Sequence, residues 1–358
     1  MNIFTNDKSA ILLQDLVYNS FFDNEQIIED NNPTEDDIFI YIVGMNIDFD
    51  FLNNIKCKKL IIDYSSNDNV QVGHLDRMSE NIKRDYKVIS KSLDFKKLNH
   101  LFYDQQMYRF KESFQVLHSY NMIRKNFYET NLLPHKKATF FVGHPRYHKL
   151  KLLNHLHLNK KLDDLYWTSS DIKYDLPDNI HWGMDNMDRE EEYLSFDVIK
   201  KLPQKLDYDY ETSKHHLVSI GITLNWGFYL NSSFDIIGET NFHNTATLHH
   251  ISEKLLKPIM LGVPFVCLNL PNTIHKLQRD FGFDFSDEIF KHDYDTIEPF
   301  DIRLDYLRNK VLNLLNYSKS ELKEFSYNYF QNQEKNKRIL FDIFWKGSLS
   351  KIKEYIDE

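Results

Sequence analysis

Short apolar runs alternate along this chain with longer stretches in which apolar residues recur at helical spacing. In the first third, residues 37–43 (DIFIYIV), 58–64 (KKLIIDY) and 86–90 (YKVIS) are apolar runs bounded by polar residues. Such runs are typical of strands buried on both faces of a parallel sheet. Residues 95–130 carry apolar positions at helical spacing and therefore predict a helix.

The second half repeats this alternation. Its apolar runs predict strands at 138–143, 215–223, 232–240 and 264–270. Helices are predicted after residue 146, near 247–261, near 273–281 and beyond residue 318. Ser318 and Glu321 have the spacing of a capping box, which starts a helix. The Gly262-Val263-Pro264 turn is predicted to end the helix near 247–261.

Strands that alternate with helices in both halves predict an α/β fold with two Rossmann-like domains, each built on a parallel sheet. A proline within a polar cluster at 131–137 (NLLPHKK) marks the predicted boundary. The domains would cover residues 1–135 and 136–317, and a tail of C-terminal helices over 318–358 would pack back on the N-terminal domain. Two facing domains leave a cleft between them, which is a common place for a ligand pocket.

Composition narrows the class of protein. The 358 residues include 44 basic and 53 acidic side chains, which gives a net charge of −9. This charge argues against a protein that coats nucleic acid nonspecifically, but it allows one basic groove. Cys57 and Cys267 are too few for a disulfide scaffold and suit a reducing compartment. With no signal peptide and no apolar run of the ~20 residues that span a bilayer, we expect a cytoplasmic protein, in the host cytoplasm if it is viral.

A basic window covers residues 131–161, which contain no Asp or Glu. It carries Lys136, Lys137, Arg146, Lys149, Lys151, Lys160 and Lys161. One interpretation is a solvated basic helix face. The other uses position, because residues 143–146 (GHPR) follow a predicted strand and precede a helix, where ligands sit in open α/β sheets. A helix N-terminus favours anions, and Arg146 and Lys149 could reach a phosphate.

A second candidate loop lies at 240–254, between a predicted strand and a helix that begins near Ser252. Glu253 could accept hydrogen bonds from ribose hydroxyls, and Lys254 could meet a phosphate as a point charge. The alternative is a surface pair of Glu253 with Lys257 at i,i+4 spacing, worth only about 0.3 kcal/mol.

These residues carry a family resemblance. F-x-x-x-x-E-T, followed by S-E-K-x-x-K-P-I-x-x-G-x-P-F-V, resembles the nucleotide-sugar domain of GT-B glycosyltransferases. The closest group comes from phages and includes enzymes predicted to glycosylate DNA; the Glu-Lys motif is also similar to that of fucosyltransferases. Residues 281–303 and FVGHPRYHKLKLLNHL are similar too, with Lys149 where the pattern usually has Arg. The resemblance covers roughly residues 138 to 315.

The resemblance implies a GT-B architecture, with an N-terminal acceptor domain and a C-terminal domain that binds a nucleoside-diphosphate sugar as co-substrate, without a cofactor or metal. By this resemblance Glu253 would hold the ribose or sugar. Arg146 and Lys254 would bind the diphosphate and stabilise the leaving nucleotide. The same donor-binding set includes Lys149, Glu239, Thr240 and Ser252. The acceptor would be a hydroxyl group, on a modified DNA base or on a surface glycan.

Other chemical interpretations stay open. Asp207-Tyr208-Asp209 and Asp293-Tyr294-Asp295 have the D-x-D spacing that suits a divalent metal, although this spacing arises easily in an acidic chain. An inverting transfer needs a general base, for which Asp63 at the end of a predicted strand is the leading candidate. A buried structural or helix-capping role is the alternative for Asp63. The same fold also suits a nucleotide-sugar epimerase or a non-catalytic nucleotide-binding protein.

Overall fold

The protein is described here from a computed structural model, in which the chain forms two compact units. The structure describes residues 2–7, 12, 27–43, 47–63, 72–90, 100–102, 111–143, 145–169, 195–202, 204, 226–239, 242, 249, 252–342 and 348–358. The first unit comprises residues 1–109, 245–251 and 338–358, and the second comprises 110–244 and 252–337. Thr240, the predicted strand 215–223 and Asp207 to Asp209 lie outside the described residues.

A parallel sheet forms the first unit. Its strands are β1 (Ile3–Thr5), β2 (Ile27–Glu29), β3 (Ile38–Ile42), β4 (Lys59–Asp63), β5 (Lys87–Ser90) and β6 (His100–Phe102), in the order β2-β1-β3-β4-β5-β6. Helices α1 (Phe49–Asn54) and α2 (Val72–Asn81) follow β3 and β4. The direction in which strands are added changes at β1. β2 lies on one side of β1, and β3, the next strand along the chain, lies on the other side.

The last helix of the chain, α11 (Ser348–Asp357), packs on this first sheet. Its Leu349, Ile352 and Ile356 are buried in one core with the isoleucines of β3, β4 and β5. Lys59 at the start of β4 donates a hydrogen bond to the Tyr355 carbonyl at 2.5 Å, in the last turn of α11. A cation there complements the negative end of the helix dipole. The C-terminus is thus part of the first unit's core.

A second parallel sheet forms the other unit. Its strands are β7 (Ala138–Phe141), β8 (Leu165–Thr168), β9 (Phe234–Gly238) and β10 (Phe265–Leu268), in the order β10-β9-β7-β8. Its helices are α3 (Lys111–Glu129), α4 (Tyr147–Leu158), α5 (Trp226–Leu230), α6 (Glu253–Leu261), α7 (Thr273–Phe281), α8 (Phe300–Asn316) and α9 (Lys319–Gln331). The short α10 (Glu334–Ile339) follows α9.

The two faces of the second sheet are covered by different helices. Alternate strand residues such as Phe140, Ile236 and Val266 form one core with α4 and α8. The other face carries Thr139 and Asp235, beneath α3, α5 and α6. Strands buried on both faces are what the short, largely apolar runs predict. The α/β fold class with two parallel sheets and C-terminal helices is therefore confirmed.

Helix ends follow the local sequence. Ser318 and Glu321 form the predicted capping box at the start of α9. Gly262 ends α6 in the left-handed region at φ 63°, and the Val263 N–H donates to the Pro258 carbonyl at 2.9 Å. A Cβ at Gly262 would also lie 3.0 Å from the Phe330 ring. Glycine is required there for both reasons, so the predicted structural role of this turn is confirmed.

The helix predicted over 95–130 is wrong at its start. Residues 100–102 pair in parallel with β5 as an edge strand, and the described helix covers Lys111–Glu129. That helix belongs to the second unit, so the compact units do not follow consecutive segments of the chain. The division into independent domains at residue 135, and their facing arrangement, stay predictions. No described helix combines the length and hydropathy needed to cross a bilayer.

A buried carboxyl group lies on the α3 side of the second sheet. Asp235 accepts hydrogen bonds from Thr139 Oγ1 at 2.6 Å and Tyr229 Oη at 3.3 Å, and burial raises its pKa to about 7. Lys257 also faces it, with an opposing effect on the pKa. The folded state therefore binds a proton that the unfolded chain releases near pH 4, so this group makes stability fall as pH rises from about 4 to 7.

We expect Asp235→Asn to remove this pH dependence. The variant should be more stable than the wild type above pH 7, by roughly 2–4 kcal/mol from the size of the pKa change, and equal to it near pH 4. Urea denaturation of both proteins at several pH values measures the difference. Asp305→Asn, at an exposed carboxylate of α8, is the control and should leave the profile unchanged. Equal slopes for Asp235→Asn and wild type would contradict the expectation.

Candidate nucleotide-binding site at the carboxyl edge of the second sheet

The strand order of the second sheet defines a crevice at its carboxyl edge. From β7 the chain passes through α4 to β8 on one side, whereas β9 lies on the other side of β7 and leads through α6 to β10. The segments that leave β7 and β9 therefore diverge to opposite faces. A topological switch point of this kind is where open α/β sheets bind ligands. Both loops singled out from the sequence leave the sheet here.

The loop after β7 leads directly into α4. Gly143 adopts φ 59°, a left-handed conformation that favours glycine. Arg146 is the N-cap residue of α4 and is partly exposed. Its guanidinium thus belongs to the end of the helix where the dipole favours anions.

Lys149 connects the two loops but is buried. Its ammonium donates a hydrogen bond to the Val142 carbonyl at 3.0 Å, and only 2% of the residue is exposed. Its stem crosses Gly238, where a Cβ would lie 3.0 Å from the Lys149 Cε. Glycine at the end of β9 thus makes room for the lysine. A phosphate contact by Lys149 stays a prediction.

Glu239 and Ser252 hold the start of α6 against β9. Ser252 Oγ donates to Glu239 Oε1 at 2.6 Å and accepts from the Lys254 N–H at 3.2 Å, which makes Ser252 the N-cap of α6. Both residues are buried. Glu253 is the first residue of the helix, and Lys254 follows it with a partly exposed side chain.

His148, in the first turn of α4, connects the loop after β7 to the loop after β9. Its Nε2 lies 3.0 Å from the Glu239 carbonyl, and because a carbonyl only accepts, Nε2 carries the proton. Burial holds the pKa of His148 well below its usual value, and the charges of Lys149, Arg146 and Arg303 add to this effect. The imidazole is neutral and stacks on Phe242 with ring centres 5.1 Å apart.

Arg303 supports this stack from α8. It is fully buried, lies 4.5 Å from the centre of the Phe242 ring, and donates to the carbonyls of Phe242, Ile297 and Glu298. Arg303 therefore links Phe242, in the loop after β9, to α8, which packs against α4. Neither His148 nor Arg303 was a candidate from the sequence. The only sequence signal for His148 is its place next to Lys149.

The structure brings part of the predicted donor set together. Lys149, Glu239 and Ser252 belong to one packed cluster, and Arg146 and Lys254 lie in the adjoining ends of α4 and α6. Only the backbone of Glu253 is described, so the direction of its carboxylate stays a prediction.

Asp63 belongs to the first unit. It is buried at the carboxyl end of β4, whereas the switch point of that sheet lies between β1 and β3. There Asn6 bridges to the Ile42 backbone, with its Oδ1 accepting at 2.6 Å and its Nδ2 donating at 3.0 Å. Asp7 follows directly. The sequence gives no signal for this corner of the sheet, because β1 is only three residues long. A role for Asp63 as general base stays a prediction.

The basic window does not form one surface. Lys137 and Lys161 donate to the Leu315 carbonyl at the end of α8, and Lys136 donates to the Asp163 carbonyl. These lysines lie near the amino end of β7, at the opposite edge of the sheet from Arg146. Cations at helix ends and loop carbonyls stabilise the fold, so these three of the seven basic residues in the window have a structural explanation.

The described D-x-D segment also has a structural role. Asp293 accepts from Tyr306 Oη at 2.5 Å and from the Lys310 ammonium at 3.2 Å. Asp295 is buried and accepts from the His275 N–H at 2.8 Å, in the first turn of α7. The described part of the chain contains no group of three or more His, Cys, Asp or Glu arranged to hold a metal ion.

No protein-family model matches this chain, and neither a curated protein nor a solved structure matches it significantly.

Proposed function

We propose that this protein is a glycosyltransferase that moves a sugar from a nucleoside-diphosphate donor to a hydroxyl acceptor. One observation carries the proposal: two helices begin beside each other at the switch point of the second sheet. His148 of α4 contacts the Glu239 carbonyl, and Ser252 at the start of α6 donates to the Glu239 carboxylate. One helix begins beside Arg146 and the other carries Lys254 in its first turn. Two helix dipoles and two cations suit a diphosphate.

The chemistry needed at this site is stabilisation of a departing nucleoside diphosphate. Negative charge grows on the diphosphate as the glycosidic bond breaks, and fixed positive groups lower the energy of that state. In this proposal Arg146 and Lys254 contact the diphosphate, and Glu253 accepts from ribose or sugar hydroxyls. The buried contacts of Glu239, Ser252 and Lys149 keep the two helix starts in register. No metal is required in this scheme.

The acceptor hydroxyl would be deprotonated by a carboxylate that acts as general base. Asp63 is the residue proposed from the sequence, and Asp7 is a second candidate because it follows β1 at the switch point of the first sheet. The DNA acceptor follows from the family resemblance, and the basic window at 131–161 only permits it. Since several of those lysines bind helix and loop carbonyls, the window gives that acceptor little support.

Nucleoside diphosphate binding tests the proposal. We expect at least one of the common nucleoside diphosphates to raise the melting temperature, and Arg146→Ala or Lys254→Ala to weaken its binding 10- to 100-fold, about 1.4–2.8 kcal/mol. Calorimetric titration of the same nucleotide gives the dissociation constants. Lys125→Ala, a well-exposed lysine of α3 in the same unit, is the matched control and should bind like the wild type.

Product analysis separates the enzyme from its alternatives. Incubation with nucleotide sugars and either hydroxymethylated DNA or glycans should give sugar transfer to one acceptor class. Conversion of the donor without an acceptor would indicate an epimerase, and binding without any product would indicate a non-catalytic nucleotide-binding protein. Absence of turnover together with absence of a thermal shift from every nucleoside diphosphate would refute the proposal.

A further inference from the structure

A groove on the second unit runs along the exposed side of α8. It encloses about 360 Å³, within the ~300–1,000 Å³ of small-molecule pockets. Its lining includes Tyr306, Asn309, Lys310, Asn313, Tyr317 and Glu288. The start of α8 packs against Tyr147 and Phe242 near the nucleotide site, whereas the groove follows its second half. It is therefore separate from that site.

Two tyrosines stand at the ends of the groove. They are eleven positions apart, which at 1.5 Å per residue is about 16 Å along the helix. The hydroxyl of Tyr306 is held by Asp293 at 2.5 Å, and the ring of Tyr317 packs edge-on against Phe325 at 5.2 Å. Tyr306 still has 40% of its surface exposed. Both rings are therefore positioned before any ligand arrives.

Polar side chains fill the space between the tyrosines. Asn309 and Asn313 are exposed on successive turns of α8, and Glu288 faces them from the preceding loop. None of these three forms a hydrogen bond or ion pair with another described residue. Each amide supplies both a donor and an acceptor, and the carboxylate supplies acceptors. The middle of the groove can therefore bind several hydroxyl groups at once.

The charge of the groove disfavours nucleic acid. Aromatic platforms also stack on bases, but such sites use basic residues to follow the phosphates. Here the ammonium of Lys310 is paired with Asp293 at 3.2 Å, and Glu288 adds negative charge. A ligand with an apolar ring face, many hydroxyls and no charge fits better. Sugar rings have this character, because their C–H faces pack on aromatic rings.

We propose that this groove binds a neutral oligosaccharide, with sugar rings on the two tyrosines and hydroxyl groups bonded to the amides between them. The inference goes beyond the proposed function and does not depend on it, because no nucleotide is involved. If the chain does transfer sugar to a glycan, the groove would hold a part of that glycan remote from the reacting hydroxyl.

Affinity electrophoresis of the full-length chain tests the groove. The protein is run through gels that contain neutral polysaccharides of different linkage, and calorimetry with the matching oligosaccharide measures affinity. We expect retardation by at least one neutral glycan. Tyr306→Ala, and separately Asn309→Ala with Asn313→Ala, should weaken binding at least tenfold. Tyr306→Phe keeps the ring and should bind within threefold of wild type.

Leu158→Ala, at an exposed apolar residue at the end of α4, is the control away from the groove and should bind normally. Melting temperatures show whether each variant is folded, and the asparagine pair keeps the test valid if the tyrosine variant is not. The proposal is overturned if no neutral glycan binds at millimolar concentration. It is equally overturned if only anionic polymers bind, or if both groove variants bind like the wild type.

Discussion

A chain that ends at residue 347 is expected to lose the first unit's fold. The deletion removes Leu349, Ile352 and Ile356 from a core shared with β3, β4 and β5. Each buried aliphatic side chain contributes about 1.5–3 kcal/mol, so the loss of three is about 5–9 kcal/mol. That is comparable with the whole stability of a domain, roughly 5–15 kcal/mol. Limited proteolysis should show rapid cleavage within residues 1–109.

Single substitutions make this expectation testable even if the truncated chain is not recovered. Ile352→Ala should cost about 2–5 kcal/mol in urea denaturation, because it opens a cavity in the core. The adjacent Lys351→Ala is the matched control, since Lys351 is exposed on the same helix, and should change stability by less than about 0.5 kcal/mol. Similar stabilities for the two variants would show that α11 contributes little to the first unit.

Arg303→Met is expected to have the second large effect, on both stability and ligand binding. It leaves the carbonyls of Phe242, Ile297 and Glu298 without their donor. An unsatisfied buried acceptor costs ~1–3 kcal/mol, and the Phe242 carbonyl is the buried one of the three, so the second unit should lose about 1–3 kcal/mol. Phe242 would also lose the guanidinium over its ring. Because Phe242 stacks on His148 beside both loops, nucleoside diphosphate binding should weaken as well.

Arg308→Met is the control for this experiment. Arg308 lies on the same helix, is partly exposed, and pairs with Asp305 at 2.9 Å, a contact worth less than about 1 kcal/mol. Urea denaturation and calorimetric titration are measured on both variants, with binding at a temperature where each is folded. If Arg303→Met binds the nucleotide as well as the Arg308 variant does, Arg303 does not support the site.

The elements that the sequence predicted well are those in which local pattern and burial agree. Strands β3 and β10 are apolar at every position, and β4 is apolar at its three central positions, a pattern that predicts buried strands in an α/β chain. The start of α9 was predictable because a capping box is entirely local. By contrast, β1 and β2 have three residues each, too few for a period to emerge.

Non-local pairing explains the remaining differences. Residues 100–102 lie within a stretch of helical spacing, yet they pair with β5. The local sequence contains no signal for this pairing, because the partner strand is a separate segment of the chain. The candidate site was predictable as two loops, because each follows a strand and precedes a helix. That the loops meet depends on β9 lying beside β7. The sequence likewise showed that Lys149 is charged, but not that its ammonium binds Val142.

The position of α11 has a consequence for how the protein is made. The first unit contains the N-terminal strands and also residues 338–358, whereas the second unit ends at Lys337. Synthesis usually lets the earlier part of a chain fold first. Here the first sheet lacks a layer of its core until α11 has been synthesised, and α11 follows the last residue of the second unit in the chain. We therefore expect the first unit to complete its fold no earlier than the second unit, although its strands are synthesised first.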